Sequence, residues 1–461
     1  MSGAALIGKM PSHWSVKPLR LIGRLLKGTG GSKVDVVEDG VPCVSYGDIY
    51  TTRNNFTERA RTYLTEKRPQ DYTPIEYGDV PFAASGETIE EVGKSAVNLL
   101  HGARCGGDVV ILRPTEPAAA RFLGYATDAV PAAGQKSLAG RGTTFKHAYP
   151  DELREVVVAI PPLNEQQAIA DYFDRETARI DSLIAAKERV LGFLVEKRRA
   201  LIARAVTHGL DAKVMIRDCG VPWLGEIPEH WSLKRLKFAA RVQTGIAIGK
   251  DYGRQATTEF PYVRVANGQD GFIDFSEVKT VAVPECETAF ATLRRGDVLI
   301  YEGGDADKLG RGAIWDGSIT PCLHQNHVFA LRPMLVMSEW LLTWTGSVFA
   351  KAYFETRAKQ STNLASIAST NLLELPIVVP PDGEQRSIVD HIAGATAKID
   401  AVRATTERTV ALLRERRAAL IAAAVTGHVA VVTPGGTTES NVASAELDST
   451  NEVAINCRQG G

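Results

Sequence analysis

The sequence predicts an α+β protein made as an internal repeat: two globular heads, each followed by a long helix, with the helices pairing as a coiled coil. Three observations predict it. Ile160–Gly209 occurs again as Val379–His428, and at a constant offset of 219 residues 23 of the 50 paired positions are identical. The repeat reaches back into the heads, where Trp14 matches Trp231. Each repeated stretch lacks proline after its opening Pro-Pro and spaces its apolar residues in alternating threes and fours.

The head landmarks come in the same order twice. PSHW (Pro11–Trp14) opens the first and PEHW (Pro228–Trp231) the second. YGDVPFAASGE from Tyr77 and RGDVLIYEGGD from Arg295 are strand-like runs after a Gly-Asp turn. VVILRP (Val109–Pro114) and VFALRP (Val328–Pro333) follow, and LREVVVAIPP and LLELPIVVPP close the heads. Strands dominate, with some helix in LLTWTGSVFAKAYFETR from Leu341. Between landmarks the heads differ: YTTRNNFTERART (Tyr50–Thr62) has no counterpart in NGQDGFIDFSEVK (Asn267–Lys279).

The Pro-Pro pairs forbid helix before them, because a residue preceding proline avoids the α region. Asn164 then stands where an N-cap would, with Glu165 in the first turn to meet the helix dipole. The predicted seam of the first helix is Ile169, Phe173, Ile180, Leu183, Val190, Leu194 and Leu201; that of the second is Ile388, Ile392, Ile399, Val402, Leu413 and Leu420. About 42 residues at 1.5 Å each give roughly 60 Å per helix. So long a helix with so narrow a seam needs a partner helix. Glu176, Lys187 and Lys197 interrupt the seam and are candidates for fixing the pairing register. Gly209 marks a C-cap region.

The predicted boundaries are residues 1–159 for the first head, 160–210 for the first helical region, 211–226 for a glycine- and proline-bearing linker, 227–378 for the second head, 379–428 for the second helical region and 429–461 for a disordered tail. The chain has 461 residues, a formal net charge of −1, 44% hydrophobic and 23% charged residues, which is an ordinary globular balance. Near-neutral charge argues against a protein that grips nucleic acid alone by bulk charge. No apolar run is long enough to span a membrane and no signal peptide opens the chain, so a cytoplasmic protein is expected. The six cysteines form no C-x-x-C pair and read as free thiols, with neither zinc site nor disulfide framework indicated.

Catalytic motifs are missing. Gly93-Lys94-Ser95 resembles the end of a phosphate loop, but Thr88 stands where that loop needs glycine, and Gly245–Lys250 fails similarly. There is no H-E-x-x-H and no nucleophile elbow. The Pro-Pro pairs lack the polar and aromatic neighbours of an amino-methyltransferase motif. His324-Gln325-Asn326-His327 is a polar cluster open to three readings: a satisfied turn, contact with bases or phosphates, or metal. Asn and Gln pair with adenine, Arg and Lys with guanine. Candidate nucleic-acid contacts in the first head are Lys94, Lys136, Arg141, Thr143, Thr144 and Lys146. In the second they are Arg264, Asn267, Gln269, Lys308, Arg311, Gln325, Asn326, Lys359, Gln360 and Asn363.

The doubled arrangement resembles the specificity (S, or HsdS) subunit of type I restriction–modification systems. The residues that carry the resemblance are P-x-H-W, G-D-V, I/V-P-P-x-x-E-Q-x-x-I and the L-x-E-K/R-R-x-A-L-I helix ends at Leu194–Ile202 and Leu413–Ile421; together they span residues 10–428. The resemblance implies that each head is a target recognition domain for one half of a bipartite, asymmetric double-stranded DNA target. It implies that the helices pack antiparallel as a spacer, related by a pseudo-two-fold. It further implies two methyltransferase subunits, carrying S-adenosylmethionine for adenine N6 methylation, and two restriction subunits with ATP and Mg2+. The chain itself would hold no cofactor, no metal and no catalytic residue. Asp382-Gly383 departs from the family's usual link in the second copy. Two alternatives stay open: a self-contained DNA methyltransferase or nuclease, which needs a methyl-donor loop or metal carboxylates, and a coiled-coil scaffold unrelated to DNA.

Overall fold

The computed structural model describes residues 7–428 apart from 32, 52–54, 66–68, 87–92, 116–117, 140–145, 148, 248, 250, 302, 305–309 and 362–363. The segment read from sequence as a tail lies outside them. The chain divides into two compact units, one joining residues 1–186 with 410 onward, the other running from Lys187 to Thr409. Each contains one head and a length of both long helices.

In the first unit, β1 (Ser15–Pro18) pairs antiparallel with β5 (Val157–Ile160), so the strand after PSHW closes on the strand before Pro-Pro. β2 (Gly23–Lys27), β4 (Val109–Pro114) and β3 (Val80–Ala83) form an antiparallel sheet with β4 central. Its strands are wholly apolar where they are buried, as expected of a sheet covered on both faces. The second unit repeats the plan. β6 (Ser232–Arg235) pairs with β11 (Pro376–Val379), and β7 (Ala240–Thr244), β10 (Val328–Pro333), β8 (Val298–Tyr301) and β9 (Gly312–Ile314) form one antiparallel sheet in that order. The repeat also holds where the sequence gives no sign of it. Cys43 and Val44 pair in parallel with Arg104 and Cys105; 219 residues on, Tyr262 and Val263 pair in parallel with Leu323 and His324.

The long helices are α1 (Leu163–His208, 46 residues) and α2 (Asp382–Val425, 44 residues). At 1.5 Å per residue they are about 69 and 66 Å long, somewhat beyond the expected length. They pair antiparallel, the early part of α1 with the end of α2 in the first unit and the early part of α2 with the end of α1 in the second. Helix α1 begins before Asn164, which therefore sits in its first turn and not at the N-cap.

The seam differs from the apolar expectation at three positions. Ile169, Phe173, Ile180, Ile388, Ile392 and Ile399 are buried, and Leu194, Leu201, Leu413 and Leu420 are partly so. Leu183, Val190 and Val402 are 46%, 40% and 50% exposed and are not seam residues. Buried Ile184 shows the reason: the seam steps four residues from Ile180, not three, which turns Leu183 off the face by about 100°. Elsewhere threonine fills the seam. Thr177, Thr396 and Thr406 are buried, each hydroxyl donating to the carbonyl four residues back. Lys197 is exposed and Glu176 and Lys187 half-buried.

Candidate functional site

The shared motifs resolve into four contacts, each made twice. Trp14 Nε1 donates to Glu165 Oε2 at 2.9 Å, and His13 Nε2 lies 2.9 Å from Oε1 of the same carboxylate. Trp231 and His230 hold Glu384 identically, at 2.9 and 2.7 Å. Each tryptophan also packs against the far end of the other helix. A Cβ on Gly427 (φ +76°) would lie 2.2 Å from Pro11 Cδ, and one on Gly209 (φ +71°) 3.0 Å from Trp231 Cζ2. Glycine is needed there for the left-handed turn and for the close approach.

The glutamine after each glutamate joins helix to head. Gln166 Nε2 donates to Pro161 O and its Oε1 accepts from Ala119 N; Gln385 does the same with Pro380 O and Met337 N. The G-D-V aspartates are the third contact. Asp79, 2% exposed, accepts from Arg113 Nε and Nη2, and Asp297, 1% exposed, from Arg332 Nε and Nη2 at 2.8 and 2.7 Å. The same carboxylates accept the backbone N–H of Glu76 and Arg294. This explains why each G-D-V is followed by L-R-P: the arginine neutralises a carboxylate that would be costly to bury alone.

The fourth contact joins the helices. Arg417 Nε lies 3.1 Å from Asp181 Oδ1, and Arg198 Nη1 lies 2.6 Å from Asp400 Oδ2. Asp400 and Arg417 are Asp181 and Arg198 shifted by 219 residues. Arg198 and Arg417 stand inside the helix-end motif named above, but sequence reading did not pair them with the two aspartates; the identity of all four in both copies was the available signal.

The candidate nucleic-acid contacts fare unevenly. Lys136 is not a surface group: it is 1% exposed, Nζ donates to Thr127 O and Asp128 Oδ1, and burial pushes its pKa down. Asn267 is likewise internal, 4% exposed, with Nδ2 donating to the carbonyls of Asp274 and Glu277. Its Oδ1 accepts from Arg264 N, just as Asp48 accepts from Ser45 N at the equivalent turn of the first head, so this position is a turn cap. His324 is buried, with Nδ1 2.6 Å from Val328 O and Nε2 buried without a hydrogen-bond partner; burial lowers its pKa, so it stands as a neutral strand residue of the interior. Among the described residues no three His, Cys, Asp or Glu side chains are grouped to hold a metal.

Lys94 is half-buried and donates to Tyr50 O. Arg264 faces Glu277 at 3.4 Å; Gln269, Arg311, Gln325 and Asn326 are half-buried. Gln325 Oε1 accepts from Val265 N, which brings the 264–269 turn beside the 324–326 turn. Lys146, Lys359 and Gln360 lie on short strands, their side chains outside the described residues. Arg141, Thr143, Thr144, Lys308 and Asn363 lie outside the described residues altogether.

No family model matches the chain. It is 22% identical over 439 residues to the type I restriction enzyme EcoKI specificity subunit of Escherichia coli K12, covering 92% of this chain and 90% of that protein. It is 22% identical over 438 residues to the StySPI specificity subunit of Salmonella potsdam, with the same coverage. The chain is thus similar, over nearly its whole length, to type I restriction enzyme specificity subunits. Its fold agrees: a chain solved in work on assembly and conformational transition of the type I restriction–modification system superposes with a TM-score of 0.65 at 18% identity, covering 91% of this chain and all of that one. The described motifs that carry the resemblance make internal contacts that brace strand, head and helix. No described helix is long and apolar enough to cross a membrane.

Proposed function

We propose that this chain is a specificity subunit that reads a bipartite, asymmetric double-stranded DNA target, one half per head, and that its paired helices set the interval between halves. The helices also dock two methyltransferase subunits, which bind S-adenosylmethionine and methylate adenine N6. Two restriction subunits, with ATP and Mg2+, join through them. The chain supplies recognition and positioning and performs no chemistry itself.

One observation carries the reading. The two units share the contacts that hold head to helix and differ in the segments between, such as 50–62 and 267–279. Like frames with unlike surfaces fit two unlike half-sites presented to one kind of partner. A helix pair of more than 60 Å is ample for half-sites one DNA turn, roughly 34–36 Å, apart. The formal net charge of −1 supports sharing the phosphate grip with partners, so the subunit alone binds DNA weakly and with strong salt dependence.

The test is a methylome. The chain is expressed with the methyltransferase subunit of its own operon in a methylation-free host, and N6-methyladenine is mapped by single-molecule sequencing. One split, asymmetric motif methylated on both strands is expected. An intact, catalytically competent complex that creates no new motif would refute the reading.

A further inference from the structure

We infer that the duplicated ion pairs Asp181–Arg417 and Arg198–Asp400 set the register of α1 against α2 and, through it, the interval between the two half-sites. The second clause rests on the function proposed above.

The middle of the seam is poor in apolar contact. No residue of α1 between Ile184 and Ala205 is buried, and in α2 only Thr406 is buried between Ile399 and Val410. Apolar seam residues also discriminate registers poorly, because a heptad slip replaces one apolar neighbour by another, whereas charged flanking positions specify one alignment. Slipping one helix a heptad along the other brings Asp181 to Val410 and Arg198 to Ala393 in one direction, and Asp181 to Ala424 and Arg198 to Glu407 in the other. Arg417 would meet Asp174 in the first slip and Glu188 in the second, but both aspartates face an arginine only in the observed alignment.

Burial grades the two locks. Arg417 and Asp181 are 16% and 34% exposed as side chains, Arg198 and Asp400 42% and 52%, so water and salt screen the second pair more. The duplication has a mechanical meaning. A single lock would leave the other stretch of the pair free to shift, whereas one lock in each unit fixes both. A heptad is roughly 10 Å, or about three base pairs at 3.4 Å each, large enough to change which half-sites are joined.

The experiment compares the full chain with Asp181→Arg/Asp400→Arg and with the fourfold variant that adds Arg198→Asp/Arg417→Asp. The double variant sets like charges against each other, and its melting temperature is expected to fall by about 3 °C, most of it from the less exposed Asp181 pair. The fourfold variant restores attraction with reversed polarity and recovers most of the loss. Co-expressed with the methyltransferase subunit, the double variant methylates the same half-site sequences at more than one interval; the fourfold variant returns to one. An unchanged melting temperature in the double variant, or a fourfold variant no more stable than it, overturns the register assignment. A single unchanged interval in a melting-impaired double variant overturns the extension to spacing. A parent complex that methylates nothing refutes the proposed function instead, and the melting comparison still decides the ion pairs.

Discussion

The two units make the same joints with different fillings. Asp79–Arg113 and Asp297–Arg332 are one contact placed twice, as are the Trp14–Glu165 and Trp231–Glu384 bonds. Yet the strand before each Pro-Pro is held by unlike chemistry. In the first unit Gln135 bonds both the N–H and the carbonyl of Val157. In the second, the indoles of Trp340 and Trp344 donate to the carbonyls of Val378 and Pro376. The first unit also buries a Lys136–Asp128 ion pair, while the second fills its core with Trp340 and Trp344. The joints that brace each unit are kept; what only has to fill space is free to differ, because a core tolerates many packings of similar volume.

The strongest way to break the comparison is at its shared joint. Asp79→Ala and Asp297→Ala each remove a buried carboxylate from a half-buried arginine, and each is expected to cost about 3–5 kcal/mol by hydrogen exchange of the affected head, toward the lower end in the first unit, where Arg113 keeps Glu76 at 2.8 Å. A large loss in one unit only would show that the joints are not equivalent. Next comes Lys136→Met, which acts on the first unit alone. It leaves Asp128 without its ammonium partner and is expected to cost about 3 kcal/mol there, with exchange in the second unit unchanged. Loss of DNA affinity without loss of stability would reinstate Lys136 as a contact residue.

The smallest effect is alkaline. Burial pushes the thiols of Cys43 and Cys105 in the first unit, and Cys322 in the second, from 9.0 up to about 12. The folded state keeps protons that the unfolded chain releases above pH 9, so stability falls as pH rises between about 9 and 12. The first unit, with two such thiols, should soften more steeply. At pH 8 a maleimide should modify exposed Cys286 in the native protein while these three stay protected; native labelling of Cys43 or Cys105 contradicts that burial.

Periodicity and repetition made the architecture legible, because a long helix and a duplicated motif are both local signals. The identities at Glu165, Gln166, Asp79 and Trp14 flagged positions that matter, but not that they matter to one another across 151 residues in the case of Trp14 and Glu165. The seam was misread wherever threonine replaced an aliphatic, since polarity scales score Thr177 and Thr396 as surface. Lys136 and Asn267 were misjudged for a related reason: residue type suggests a DNA contact, and only the fold shows a lysine folded onto Asp128 or an asparagine capping a turn. The nucleic-acid candidates depend on loops, where no periodicity constrains which way a side chain turns.

The division of the chain into a continuous unit and a split one bears on its synthesis. Residues 187–409 hold everything the second unit needs, whereas the core around Phe173 and Phe122 is completed by Ile421, Ala424 and Val425. A chain emerging from the ribosome therefore finishes its second head before its first, which waits, partly open and apolar, until the last turns of α2 arrive.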